Sequence, residues 1–128
     1  PQNLILLDNL EYRKYFSLLN LCHVGLISLN KNFTIPNYPS RILDYLMFKL
    51  PVICATDINS DIGLDAKNEG YGFLCQTDDS SKFKKYVNEL TYNKSLRLKM
   101  GKNSYSKFIS NFKTDISYSI ILEHFKNN

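Results

Sequence analysis

Apolar residues along this chain fall into short blocks that alternate between two periods. The blocks Leu4–Leu7, Val24–Leu29, Pro51–Ala55 and Tyr71–Cys75 are continuous apolar runs without alternation, as in strands buried on both faces. Between them the spacing changes to that of a helix. Tyr12, Tyr15, Phe16 and Leu19 mark one side of a helix over 11–21, and Ile42, Leu43, Leu46 and Met47 mark another over 40–48. A polar stretch over 59–69 with Ile62, Leu64 and Ala66 predicts a short helix closed by Gly70. Asp78, Asp79, Ser80 and Ser81 are N-cap candidates for a helix that buries Phe83, Val87 and Leu90. Two more helical stretches follow, over 93–112 and from Thr114 or Asp115 to Phe125, with Gly101 a weak point inside the first.

Strands alternating with helices predict an α/β fold: a Rossmann-like parallel sheet of about four strands with helices on both faces and right-handed crossovers. With 128 residues the chain reads as a single domain over 1–128. It opens at Pro1 and runs almost directly into the apolar block "NLILL", which suggests a piece of a longer protein.

Composition narrows the picture only slightly. Apolar content of 44% and charged content of 22% are those of an ordinary globular domain. The net charge of +4 is modest. The dense basic stretches, Lys82, Lys84, Lys85 and Arg97, Lys99, Lys102, lie on helix-like segments and read as solvated faces, so no nucleic-acid partner is expected. A weak attraction to anionic lipid is compatible with them. Cys22, Cys54 and Cys75 are odd in number, form no CxxC, and sit partly inside apolar runs, which favours reduced thiols and a cytoplasmic location. No run of about 18 apolar residues occurs, so no membrane span is expected. Asp57, Asp61 and Asp65 match a calcium loop only loosely, because Gly63 is off position and no closing Glu follows, and no metal site is assigned. His23 and His124 read as structural or solvent-facing residues.

The candidate chemistry lies in "TIPNYPSRILDYLMFKLPVICATD", residues 34–57. In open α/β sheets ligands bind beyond the carboxyl ends of strands. The loop over 30–39 leaves the second apolar block and enters a helix, whose N-terminus favours an anion. Tyr38, Pro39, Ser40 and Arg41 form that doorstep: Pro39 sets the entry angle, Ser40 caps or donates to a phosphate, and Arg41 offers a planar charged fork. Asp44 shares a face with Arg41 and suits a pair of ribose hydroxyls. Set against this, Pro-Ser before an apolar helix is also an ordinary start signal, and Arg41–Asp44 an ordinary surface ion pair.

The segments "SRILDYLMFKLPVICATD", "GYGFLC" followed by "DDSSKFKKYVNEL", and "YFSLLNLCHVGLISL" together resemble the C-terminal, donor-binding domain of glycosyltransferase family 4, which has the two-domain GT-B fold. The resemblance covers nearly the whole chain. It implies the donor nucleotide-sugar-binding part of a retaining transferase in bacterial surface polysaccharide biosynthesis, of O-antigen or capsule. It implies Tyr38, Pro39, Ser40 and Arg41 on the donor diphosphate, Asp44 on the ribose, and Asp8, Asn9 and Leu10 near the base. The nucleotide-diphosphate sugar is substrate, and no cofactor is implied. The acceptor, a lipid-linked saccharide, would be held by a separate N-terminal domain, with the whole enzyme cytoplasmic or peripheral at the inner membrane face. That domain and two preceding β-α units have no counterpart here, so an incomplete GT-B domain is expected, inactive alone, with no catalytic residue assigned. An exposed sheet edge able to pair with a second copy is expected as well. The chain departs from the family pattern at Pro36, where a glutamate often contacts the transferred sugar, and at Lys49, which replaces a glycine. Two other classes stay open: a receiver-like signalling module, for which Asp8 is the only acid near the first strand, and a nucleotide-binding domain that has lost catalysis.

Overall fold

A computed structural model describes residues 3–32, 35, 37–57 and 59–126. The elements are α1 (Tyr12–Leu21), β1 (Gly25–Ser28), α2 (Arg41–Met47), β2 (Val52–Thr56), α3 (Ile62–Asn68), β3 (Gly72–Gln76), α4 (Ser80–Tyr92), α5 (Lys94–Asn111) and α6 (Thr114–Lys126). The strands form one open parallel sheet in the order β1-β2-β3. The α/β class and the parallel sheet therefore hold, with three strands among the described residues where the apolar pattern predicts about four.

The missing strand is Leu4–Leu7, which has no regular structure and is 58%, 79%, 84% and 56% exposed along its four residues. An apolar run becomes a strand only beside a ladder partner, and no described strand lies next to it. Tyr12, expected on the inner side of α1, is also exposed; that helix buries Leu19 and rests on α2 through the stacked rings of Phe16 and Phe48.

Strand parity divides the core. Ile27, Val52 and Cys54 face one side and pack with Ile42 and Leu46 of α2, Ile62 and Ala66 of α3, and Tyr71. Ile53 faces the other side and packs with Leu90 and Met100, flanked by Phe73, Phe83 and Tyr86. Every residue of β2 is consequently buried, as its unbroken apolar run requires. The edge strand β1 alternates buried and exposed instead, with Leu26 left 45% exposed.

Two glycines fix close approaches. Gly70 has φ +67° and ends α3 in the left-handed conformation that glycine adopts without strain. Gly101 lies in the unbroken α5, where a β-carbon would run into the Lys49 carbonyl oxygen. It lets α5 lie against the turn after α2, which Ser104 secures by donating to the Leu50 carbonyl at 2.7 Å. The helix therefore continues through Gly101. Asp79 caps α4, accepting from the Lys82 N–H at 2.9 Å. None of the described helices is long and apolar enough to cross a membrane.

Candidate functional site

Parallel strands leave the sheet in the same direction, and their register brings Ser28, Thr56 and Gln76 close to one rim. The loops beyond that rim carry most of the polar residues singled out from the sequence.

A cleft of about 430 Å³ opens beside β1, lined by Leu26 to Leu29 and by Asn37, Pro39, Ser40 and Arg41. Its far wall is the entry to α2. The Pro39 and Ser40 carbonyls accept from the Ile42 and Leu43 N–H groups, each at 3.0 Å, so the chain turns tightly into the helix. Ser40 is itself helical in conformation, and its hydroxyl makes no capping bond. Arg41 is exposed, beside the Tyr45 hydroxyl, which donates to the Leu26 carbonyl at 3.3 Å. Burial raises the Tyr45 pKa, and the Arg41 charge partly opposes it. With only seven residues, α2 has a weak dipole, so Arg41 supplies most of the positive charge here.

The near wall is the open edge of β1. Gly25 and Leu29 direct their N–H groups to the Pro51 and Ala55 carbonyls at 2.9 Å. By alternation, the backbone groups of Leu26 and Ser28 face the open side.

The remaining expected site residues are distributed elsewhere. Asp44 does not line this cleft; its Oδ2 accepts from the Tyr15 hydroxyl at 3.0 Å. Burial first, and then Asp44, push the Tyr15 pKa up to about 12. Asp8, Asn9 and Leu10 belong to the extended stretch before α1, with Asp8 and Asn9 exposed. Pro36 and Thr34 lie outside the described residues.

Tyr38 turns away from Arg41. Its hydroxyl donates to Asp65 Oδ2 at 2.9 Å, the Tyr71 hydroxyl donates to the same oxygen at 2.8 Å, and Lys107 Nζ meets Oδ1 at 2.8 Å. Lys107 also pairs with Glu69 at 3.5 Å. Burial opposes ionisation of Asp65, but Lys107 and the two hydroxyls outweigh it and hold its pKa below the ordinary value. Burial, followed by Asp65, raises Tyr71, and burial is also the main reason that Tyr38 reaches about 12. This cluster ties the loop before α2 to α3, β3 and α5. It spans sequence separations of 27 and 42 residues, and no local pattern signals it.

A second cleft of about 430 Å³ lies where β2 and β3 end. Asp57 closes its loop by accepting from the Asn59 N–H and the Ser60 hydroxyl, both at 2.7 Å. The Ser60 bond is the main reason that the Asp57 pKa is lowered. Thr56 Oγ1 lines this cleft, buried and without a hydrogen-bond partner, and Lys67, Gln76 and Lys82 stand around it. The signal for this turn was the Asp-x-Asn-Ser run, an Asx-type pattern. Asp57, Asp61 and Asp65 do not converge, and no group of three or more His, Cys, Asp or Glu side chains able to hold a metal occurs among the described residues.

The fold thus brings Pro39, Ser40 and Arg41 together at one cleft, and separates them from Tyr38 and Asp44. No family model, curated protein or solved structure matches the chain.

Proposed function

We propose that the rim at the carboxyl ends of the strands binds a nucleotide-activated sugar, the chain serving as the donor half of a retaining glycosyltransferase. One observation carries most weight: a cleft at the exit of a parallel strand, walled by Pro39, Ser40 and Arg41, with no carboxylate among its lining residues. Arg41 would stabilise the departing diphosphate, and the Ser40 hydroxyl would donate to it. Each rim cleft falls within the usual range for small-ligand sites. Asp44 lines neither rim cleft, so the ribose contact expected of it would require its carboxylate to leave Tyr15 and turn toward the Arg41 cleft; Tyr15→Phe should then leave binding intact or strengthen it.

Saturation-transfer NMR with UDP, GDP, ADP and CDP sugars tests the proposal. One nucleotide class should bind, and Arg41→Ala should weaken it about tenfold or more, as for loss of a charge-assisted contact. Binding that is indifferent to both Arg41→Ala and Asp44→Ala would remove this site from consideration.

A second reading follows from the near wall. The Ser28 backbone groups and the Leu26 N–H make the cleft a place where a strand could add to β1, the Leu26 carbonyl already accepting from Tyr45. Sedimentation velocity over a concentration series separates the two: strand addition by a second copy gives a dimer that grows with concentration and that nucleotide sugars do not dissolve.

A further inference from the structure

A groove of about 700 Å³ lies at the opposite end of the sheet from the rim. Cys22, His23 and Pro51, which line it, come just before β1 and β2, so it opens at the amino ends of the strands. Its polar lining is of one sign: Lys49, Lys94, Arg97 and Lys102, with no Asp or Glu. The ion pairs of the described residues involve Lys14, Lys31 and Lys107, none of which lines this groove. Arg97 is partly engaged, donating to the Leu90 and Thr91 carbonyls at the end of α4. Among the described residues, no carboxylate pairs with the other three.

Beneath the charges the lining is apolar. Phe48, Leu98 and Tyr105 contribute to it, and Leu98 is 60% exposed. Leu21, next to Cys22, is 76% exposed. Lys49 has φ 58°, a left-handed conformation that glycine would adopt without strain, and its ammonium lies 4.8 Å from the Tyr105 ring centroid. Lys49 thus places a cation over the groove from a backbone conformation that disfavours any side chain.

We propose that this groove is a docking surface for anionic membrane lipid, with the lysines on the headgroup phosphates and Leu98 and the groove floor against the acyl boundary. Charge of one sign over an apolar floor matches that chemistry. Lysine ammoniums on flexible stems suit phosphates whose positions are not fixed, and their stems can lie along the apolar floor. A nucleic acid would call for a longer basic track with stacking platforms. The proposal is independent of the nucleotide-sugar site.

Co-sedimentation of the chain with vesicles tests it, using phosphatidylcholine with and without phosphatidylglycerol. The chain should pellet only with the anionic vesicles. Lys49→Gly, which also relaxes the backbone, should lower partition roughly fivefold, the effect of about one cation near a charged surface, and Lys94→Glu, which changes the charge by two, roughly thirtyfold. Leu98→Ser should lower it at constant charge. Lys84→Glu, an exposed site on α4 with the same charge change, should have a much smaller effect, and Arg41→Ala should leave vesicle binding in place. Thermal melts confirm that each variant is folded. Glycerol phosphate or inorganic phosphate competing fully at millimolar-range levels would show a free-anion site and overturn the lipid assignment. Equal pelleting with both vesicle types, equal losses from Lys84→Glu and Lys94→Glu, or binding to polyglutamate but not to vesicles would also overturn it.

Discussion

Replacing Asp65 by alanine tests the polar cluster that fixes the loop before α2. Asp65 accepts three bonds, from Tyr38, Tyr71 and Lys107, all between 2.8 and 2.9 Å. A hydrogen bond to a charged group contributes about 1.5–3 kcal/mol, so independent bonds would sum to roughly 4–9 kcal/mol. That sum is too high here, because the Asp65 side chain is 24% exposed and water can reach part of the vacated space. Tyr71, fully buried, cannot be reached in the same way and loses its charged acceptor, keeping only the neighbouring Tyr38 hydroxyl. An expected loss of about 3 kcal/mol follows, against a total of about 5–15 kcal/mol for a domain. Asp65→Asn keeps the shape and one acceptor but removes the charge, and should cost about 1–2 kcal/mol. Because the folded pKa of Asp65 lies below its unfolded value, its contribution is present above the ordinary carboxylate range. It is lost as pH falls through the depressed value, so the variants should differ from the parent most at neutral pH and least in acid. Urea denaturation followed by circular dichroism, from neutral to acid pH, measures this. A loss of less than about 0.5 kcal/mol for Asp65→Ala at neutral pH, with an unchanged m-value, would refute the reasoning, since that is the range of ordinary surface substitutions.

Gly101→Ala sets a helix-propensity gain of about 1 kcal/mol against compression of the Lys49 carbonyl, which typically costs about 1–3 kcal/mol. Calorimetry should show a lower melting temperature, and a rise would mean that the α2–α5 contact is loose. Burial pushes the Cys54 thiol up to about 12 and also raises Cys75, whereas Cys22 is half-buried at the groove. Native titration with a thiol-reactive chromophore at neutral pH should give one fast equivalent, from Cys22, and three only on denaturation. Tyr38→Phe removes one donor to Asp65 without touching the Arg41 cleft. It should cost about 1 kcal/mol of stability by urea denaturation and leave nucleotide-sugar affinity nearly unchanged.

Periodicity identified most of the fold. The apolar runs at Val24–Leu29, Pro51–Ala55 and Tyr71–Cys75 contain the three strands, and the caps and spacing bracket α2 to α6. Leu4–Leu7 has the same composition and forms no strand, because pattern reports what a segment can bury, not whether a partner lies beside it. The facing of loop side chains was equally hidden. Tyr38 directly precedes Pro39 in sequence, yet it bonds to Asp65 in α3 while Pro39 borders the cleft. Asp44 lies one helical turn from Arg41 and is directed to Tyr15 of α1, an approach that no spacing rule encodes. Gly101 illustrates the reverse: a weak point by propensity is where the helix packs most closely.

The two ends of the sheet differ for a reason built into parallel topology. At the carboxyl ends, loops turn back into helix N-termini, so backbone donors and short polar side chains such as Ser40 and Ser60 collect around small clefts. At the amino ends, helices finish and strands begin, so the lining comes from helix termini and helix sides, and long side chains from both can reach it. Lys49 follows the end of α2, Lys94 opens α5 one residue after the α4 cap, and Arg97 reaches back to the last carbonyls of α4. The basic groove therefore draws its cations from the turn after α2 and from the first half of α5, two places far apart in sequence. That explains why "RLKMGK" reads as an ordinary solvated face along the chain, although Arg97 and Lys102 border a single groove in the fold.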